Sequence, residues 1–390
     1  MRRTEEMEIT DNIIYAGVKD RSLDLFESQY PVPNGVTYNS YVILDDKTAV
    51  LDTVDKRAGS QWFDELEKAL GGKPVDYLIV SHMEPDHGAN ASRFLELHPE
   101  TVVVGNAKTF PMMQQFFSID LRGRSLVVKE GDTLSLGHHT LQFFMAPMVH
   151  WPEVMVTYEQ TEKILFSADG FGTFGADEGS KEQWSEEAAR YYLNIVGKYG
   201  VQVQNLLKKA SGLDIRMICP LHGPVLKEDL GYYLDKYKTW SSYKPEAHGI
   251  LIAVASIHGG TMAAAEELAE FFKKKGEKLV EIVDLARTDV SYAVRKAFFY
   301  DRMVLAAATY DGGVFPCMES FLLHLKSKNY QKRTVAVMEN GTWAPGAAKA
   351  MKGILDTMKV ETAEPVVTIR SALNDESRES MKEMALGLLS

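Results

Sequence analysis

Over roughly the first 245 residues, apolar and polar positions alternate in short runs separated by Gly, Pro, Asn and Asp, the pattern of strands in hairpins with a few helices between. Ser40-Tyr-Val-Ile-Leu44 and Thr48-Ala-Val-Leu-Asp-Thr53 flank the turn-forming Asp45-Asp46-Lys47, which predicts a hairpin. A helix is expected near 58–70, stopped by Gly71-Gly72, and the apolar run Val75-Asp-Tyr-Leu-Ile-Val80 reads as a buried strand. Further strands are expected near 101–104, 125–128, 133–136, 140–145, 154–158 and 164–166, with one long amphipathic helix near 183–209. Together these make a β-rich α/β sandwich.

From Gly249 the pattern becomes a strict alternation of strand and helix, which predicts a parallel sheet with helices on both faces. The expected strands are Ile250 to Ala255, Leu279 to Asp284, Met303 to Ala308, Val335 to Glu339 and Val366 to Ile369, each followed by a helical run. Five such units suit a flavodoxin-like, doubly wound fold. The polar, Pro-containing segment Ser241 to His248 is the expected boundary, giving domains 1–247 and 248–390.

The length of 390 residues suits two domains, and 45% hydrophobic with 25% charged residues is ordinary globular composition. A net charge of -11 argues against nucleic-acid binding. No apolar run approaches the roughly 18 residues that span a bilayer, and Met1 to Glu8 lacks the apolar core of a signal peptide, so a cytoplasmic location is expected. Cys219 and Cys317 are the two cysteines, expected as core thiols. They form no Cys-X-X-Cys pair, so if the protein transfers electrons, an iron–sulfur or rubredoxin-type relay must come from another protein.

Chemistry concentrates in Ser81-His-Met-Glu-Pro-Asp-His-Gly88, at the end of the expected buried strand. His82, Glu84, Asp86 and His87 put four metal-capable side chains within six positions. His150, Asp169 and His222 each follow an apolar segment and precede a turn former, so all seven can converge at one sheet edge. Four imidazoles and three carboxylates are about what two metal ions need if one carboxylate bridges, and Asp169 is the expected bridge. Hydrolases of the metallo-β-lactamase type carry His where this chain has Glu84, and bind zinc. A carboxylate there shifts the set toward iron or manganese, hence toward redox chemistry. A structural zinc site is disfavoured, since those prefer closed sets containing Cys. His98, His138, His139, His248 and His324 read as surface or hydrogen-bonded histidines.

In the second half, the loop Ser256-Ile-His-Gly-Gly-Thr261 precedes a helix, whose amides and dipole favour a phosphate. Thr261 is expected to cap that helix. The loops Thr309-Tyr-Asp-Gly-Gly313 and Asn340-Gly-Thr-Trp343 each set an aromatic beside small residues, suited to a flat ring. The first loop resembles the flavodoxin phosphate loop, which implies FMN; the contacts expected on that resemblance are Ser256, His258, Gly259, Gly260, Thr261, Thr309, Tyr310, Asp311, Gly312, Gly313, Asn340, Gly341, Thr342 and Trp343, with Tyr310 and Trp343 against the ring.

The order His82-X-Glu84-X-Asp86-His87, then His150, Asp169 and His222, resembles the flavodiiron proteins, also called A-type flavoproteins, over essentially the whole chain. The resemblance implies an N-terminal metallo-β-lactamase-like αβ/βα sandwich carrying two irons and a C-terminal flavodoxin-like domain carrying FMN. It groups His82, Glu84, His150 and Asp169 around one iron, and Asp86, His87, His222 and shared Asp169 around the other, with the residue matching His87 displaced by water in some members. It also implies reduction of O2 to water or of NO to N2O, or both. An external donor is expected: rubredoxin, a flavoprotein reductase or a deazaflavin coenzyme, with no donor domain after the fifth βα unit. The implied assembly is a head-to-tail homodimer, with a tetramer as the alternative. Trp151, Tyr191 and Tyr192 are candidates to line the diatomic pocket or to pack beside it. Two rival readings are a zinc hydrolase fused to a flavodoxin-like module and an electron carrier that uses FMN alone.

Overall fold

The expected hairpin pairs Tyr41–Ile43 with Ala49–Leu51 and opens a six-stranded sheet in the computed structural model, which describes residues 9–390. Ile13–Tyr15 lies at one edge, and Tyr77–Ile79, Val102–Gly105 and Ser125–Val127 follow Ala49–Leu51 as parallel neighbours. The helix Gly59–Leu70 makes the crossover and stops where Gly71 turns left-handed (φ 58°), its N–H bonded to the Glu67 carbonyl. A second sheet runs Thr133–Ser135, Thr140–Met145, Met155–Glu159, Ile164–Phe166 and Met217–Cys219. Alternating side chains put Ile43, Leu51, Ile79 and Val104 of the first sheet against Phe143, Met155, Ile164 and Phe166 of the second, in one buried core.

The chain folds into two compact units. One runs to Tyr192 and adds Val201–Lys238; the other takes Leu193–Gly200 and Thr239–Ser390. The second unit is a parallel sheet in the order Val280–Asp284, Ala247–Ala255, Tyr300–Tyr310, Gln331–Asn340, with Lys359–Thr362 and Val367–Ile369 both pairing with the last. Numbered by first appearance this is 2-1-3-4-5, the flavodoxin-like winding whose switch point lies between the first and third strands. Ile252, Val254, Leu268, Phe272, Val304 and Met338 form a core cluster with the helices Gly260–Lys274 and Asp375–Leu389 on that face.

One expectation fails on physical grounds. The long helix near 183–209 is instead Lys181–Tyr191, a π turn Tyr192–Val196, a 3-10 turn Gly197–Tyr199 and Gly200–Ala210. The Tyr243 hydroxyl lies 2.9 Å from the Gly197 carbonyl and accepts from Gly200 N–H at 3.1 Å, satisfying groups a continuous helix would have used itself. Gly200 is required there, since a Cβ would sit 2.4 Å from the Ser241 carbonyl. The structure also adds a strand the sequence reading did not include, Lys359–Thr362. Its half-exposed Lys-Val-Glu-Thr lacks the apolar run that marks the other parallel strands. Among the described residues no helix is long and apolar enough to cross a membrane.

Candidate metal centre and flavin loops

All seven predicted metal-site residues lie in the first unit, at strand ends. Tyr77–Ile79 leads to His82, with Asp52 Oδ1 accepting from the amides of Ser81 (2.7 Å) and His82 (3.3 Å) to fix the turn. Burial raises the Asp52 carboxyl to about 6 despite those bonds. Glu84 precedes the single turn Pro85–Gly88, which carries Asp86 and His87. His150 lies between Thr140–Met145 and Met155–Glu159, Asp169 follows Ile164–Phe166, and His222 follows Met217–Cys219.

The side chains form two adjoining groups, His82, Glu84, His150 and Asp169, and Asp86, His87 and His222. Glu84 Oε2 is 3.2 Å from His82 Nε2 and 2.9 Å from His150 Nε2. Asp169 Oδ2 is 3.3 Å from both of those nitrogens, while its Oδ1 is 3.2 Å from His87 Nε2 and 3.8 Å from His222 Nε2. Asp86 Oδ2 lies 3.4 Å from His87 Nε2 and 3.2 Å from His222 Nε2. One carboxylate therefore turns one oxygen to each group.

Buried polar atoms almost always find a partner. Here both oxygens of Asp86 and of Asp169, and Nε2 of His87, His150 and His222, are buried without a hydrogen bond. Lone pairs converging at about 3 Å repel unless protons or cations stand between them, so this donor set fits a pair of metal ions. Three carboxylates bring a charge of about -3 against +4 for two divalent cations, which leaves a centre open to anionic or neutral ligands.

Two imidazoles are held from behind. His82 Nδ1 is 2.7 Å from Glu153 Oε1, and His222 Nδ1 is 2.6 Å from the Thr37 carbonyl, so Nδ1–H donates and Nε2 presents its lone pair to the cluster. His87 Nδ1 has no such partner. Burial disfavours charge on His82, His150, Glu84 and Asp169, yet the neighbouring opposite charges win. Asp169, Glu153 and Glu84 hold His82 well above the usual histidine range, and Asp169 with Glu84 takes His150 to about 9. Against the same burial, the imidazoles beside them hold Glu84 and Asp169 well below the usual carboxylate range.

Trp151 stands edge-on to His82 at 5.3 Å, and Tyr191 lies 5.5 Å from the His222 ring. Tyr192 instead packs edge-on against Tyr237 at 5.2 Å. An opening of about 330 Å³, lined by Leu25, Phe26, Glu27 and Tyr38 among others, reaches Glu84 and Asp86. A depression of about 700 Å³ around Arg21, Asn34, Asp177 and Glu187 includes none of the seven residues. Sequence reading missed Glu153, which is 1% exposed and also accepts from Met83 N–H at 2.8 Å. Its signal was a carboxylate two positions before a wholly buried strand, with no neighbouring cation in sequence.

In the second unit the three predicted loops gather at the C-terminal strand ends. Thr261 does not cap the helix Gly260–Lys274. Gly259, at φ 88°, is its N-cap, Thr261 is buried in the first turn, and the Ser256 hydroxyl accepts from Gly259 N–H (3.2 Å) and Met262 N–H (3.3 Å). The left-handed φ is what glycine permits and threonine two positions on does not supply. Thr309 Oγ1 accepts from Gly346 N–H at 3.0 Å, and Asp311 and Gly312 turn the short hairpin Tyr300–Tyr310 to Gly313–Val314. Asn340 exchanges two hydrogen bonds with the Ser371 backbone, and the Ser371 hydroxyl donates to Thr342 Oγ1 at 2.9 Å, so a fourth loop joins the three that were predicted. Trp343 is 87% and Tyr310 45% exposed beside small residues, and Tyr310 stands edge-on to Phe315 at 5.6 Å. His258, Gly341 and the remaining predicted contacts lie in these same loops.

A family model described as ODP family beta lactamase matches residues 36–223. The nitric oxide reductase of Moorella thermoacetica is 28% identical to this chain over 378 residues, 94% of each. The solved structure of rubredoxin oxygen:oxidoreductase from the anaerobe Desulfovibrio gigas superimposes with a TM-score of 0.92 at 25% identity, covering 98% of this chain and 97% of that one. The flavodiiron protein from Giardia intestinalis matches with a TM-score of 0.91 at 21% identity, over 98% and 95% of the two chains, a likeness of fold.

Proposed function

This chain belongs to the flavodiiron proteins, and from that membership we propose that it is an oxidoreductase reducing O2 to water, NO to N2O, or both, at a non-haem diiron centre fed by FMN. The observation that carries the reading is Asp169, with Oδ2 toward His82, Glu84 and His150 and Oδ1 toward His87 and His222. Glu84, where hydrolases of this fold carry His, argues for iron rather than zinc.

In this reading His82, Glu84, His150 and Asp169 hold one iron, and Asp86, His87, His222 and shared Asp169 the other. The domains are 1–247 for the metals and 248–390 for FMN, whose phosphate is taken by the 256–261 loop and whose ring is held by Tyr310 and Trp343. When bound, the two irons and the flavin supply the redox equivalents: four electrons with four protons for O2, or two electrons with two protons for two NO. The chain's own task is positional. Glu153 and the Thr37 carbonyl fix the faces of His82 and His222, and Trp151, Tyr191 and Phe26 limit water beside them. The donor is an external protein or coenzyme of the rubredoxin, flavoprotein reductase or deazaflavin kind. A head-to-tail homodimer, with a tetramer as the alternative, and a cytoplasmic location complete the proposal.

The test is metal and flavin analysis of the purified protein, followed by anaerobic mixing of its fully reduced form with O2 and with NO separately. About two irons and one FMN per chain, with stoichiometric consumption of at least one gas, are expected. Two zinc ions without iron would establish the hydrolase reading instead, and bound FMN with neither metal the electron carrier.

A further inference from the structure

The first unit also holds a small cavity of about 30 Å³ that shares no lining residue with the opening at Glu84. Phe144, Val156, Leu165, Phe171, Leu207 and Ala210 supply most of its wall. The polar groups that border it are engaged elsewhere: the Ser167 hydroxyl donates to the Gly170 carbonyl at 2.6 Å, the Tyr237 hydroxyl accepts from Phe171 N–H at 2.6 Å, and Lys209 Nζ donates to Glu130 and to the Met145 carbonyl. A water needs roughly 10–15 Å³ and two to four polar partners. This space is large enough and offers almost none, so it is dry. About two water-sized spheres in an apolar shell match an uncharged diatomic molecule.

Its position gives the cavity a use. Val149 in its wall precedes His150, and Gly170 and Phe171 follow Asp169, so at both places the cavity lining and the cluster are joined through adjacent residues of the chain. Those three are tightly packed, whereas Leu206, Leu207 and Ala210 on the helix Gly200–Ala210 are only half-buried, which makes the helix side the way in. We propose that this cavity is a binding site for the apolar diatomic substrate, O2 or NO, and passes it to the metal cluster along a route separate from the polar opening at Glu84 and Asp86. The proposal rests on the reductase reading. Separate routes let an uncharged gas enter as water product leaves on the polar side.

The experiment pressurises crystals of the holoprotein with xenon and pairs this with stopped-flow reoxidation of the reduced holoprotein by O2. Xenon is expected between Leu165, Phe171 and Leu207, and its absence from that space overturns the proposal. L207W and A210L fill the cavity from half-buried positions, two variants so that one misfolding leaves the other; iron and FMN content and thermal midpoint check integrity. In an intact variant that has lost the xenon peak, the second-order rate with O2 should fall about tenfold and KM for O2 rise in step, with kcat at saturating O2 and flavin reduction by donor unchanged. An unchanged O2 rate in such a variant overturns the route. Gas consumption by the wild type without xenon in the cavity sinks only this inference, while a wild type that consumes neither gas sinks the reductase reading itself.

Discussion

Replacing Glu153 tests whether the cluster depends on how its imidazoles are aimed. Glu153 Oε1 is 2.7 Å from His82 Nδ1 and 2.8 Å from the Met83 amide, and the residue is 1% exposed, so solvent cannot replace it. E153A removes both bonds. Loss of the partner that orients a metal-binding histidine typically costs about 10–100-fold in metal affinity, about 1.4–2.7 kcal/mol. The stranded Met83 N–H adds about 1–3 kcal/mol of lost stability, which the metal-free protein also shows. E153Q keeps a neutral acceptor for both donors and should fall near the tenfold end. The assay is iron retained at equilibrium against a graded chelator, with thermal midpoints of the metal-loaded and metal-free forms. The expected order of retention is wild type, then E153Q, then E153A. An E153A protein with the wild-type chelator midpoint would refute the idea that Glu153 aims His82.

E84H should lose iron or shift toward zinc, read by elemental analysis; full iron with full reductase activity would remove Glu84 from the argument. W343A should weaken FMN binding by about 2- to 12-fold, the equivalent of one aromatic contact at about 0.5–1.5 kcal/mol. Because Trp343 is so exposed, unfolding should stay within about 0.5 kcal/mol of wild type, and unchanged flavin affinity by fluorescence titration would count against its ring contact. His139, buried 3.1 Å from Glu159 and outside the cluster, titrates above the usual histidine range because of that carboxylate, despite burial. A raised histidine stabilises most below its unfolded value of about 6.5 and loses that contribution as pH rises through the folded value. The stability difference between wild type and H139Q should therefore be largest below about pH 6.5 and shrink at higher pH; a difference constant across that range would exclude the charged pair.

The sandwich strands and the βα units were legible because periodicity and turn residues are local properties, and most strands fall within a few residues of where they were expected. The helix near 183–209 was not, because its interruption depends on Tyr243, which is 43 positions from Gly200. Lys359–Thr362 was hidden by its mixed composition, and Thr261 was displaced as a cap by glycine's left-handed freedom at 259.

For the site, ligand types and order can be read along the chain, since each candidate stands where an apolar run ends and a strand can go no further. Nothing local states which oxygen of Asp169 faces which histidine, or that Glu153 reaches His82 across 71 positions and the Thr37 carbonyl reaches His222 across 185. Those distances close only when two sheets pack in a particular register. The dry cavity is likewise a product of packing, made of ordinary core residues that carry no signature in sequence. The sequence by itself determined the chemistry available to this protein, and the tertiary structure decided where each lone pair points and which space stays free of water.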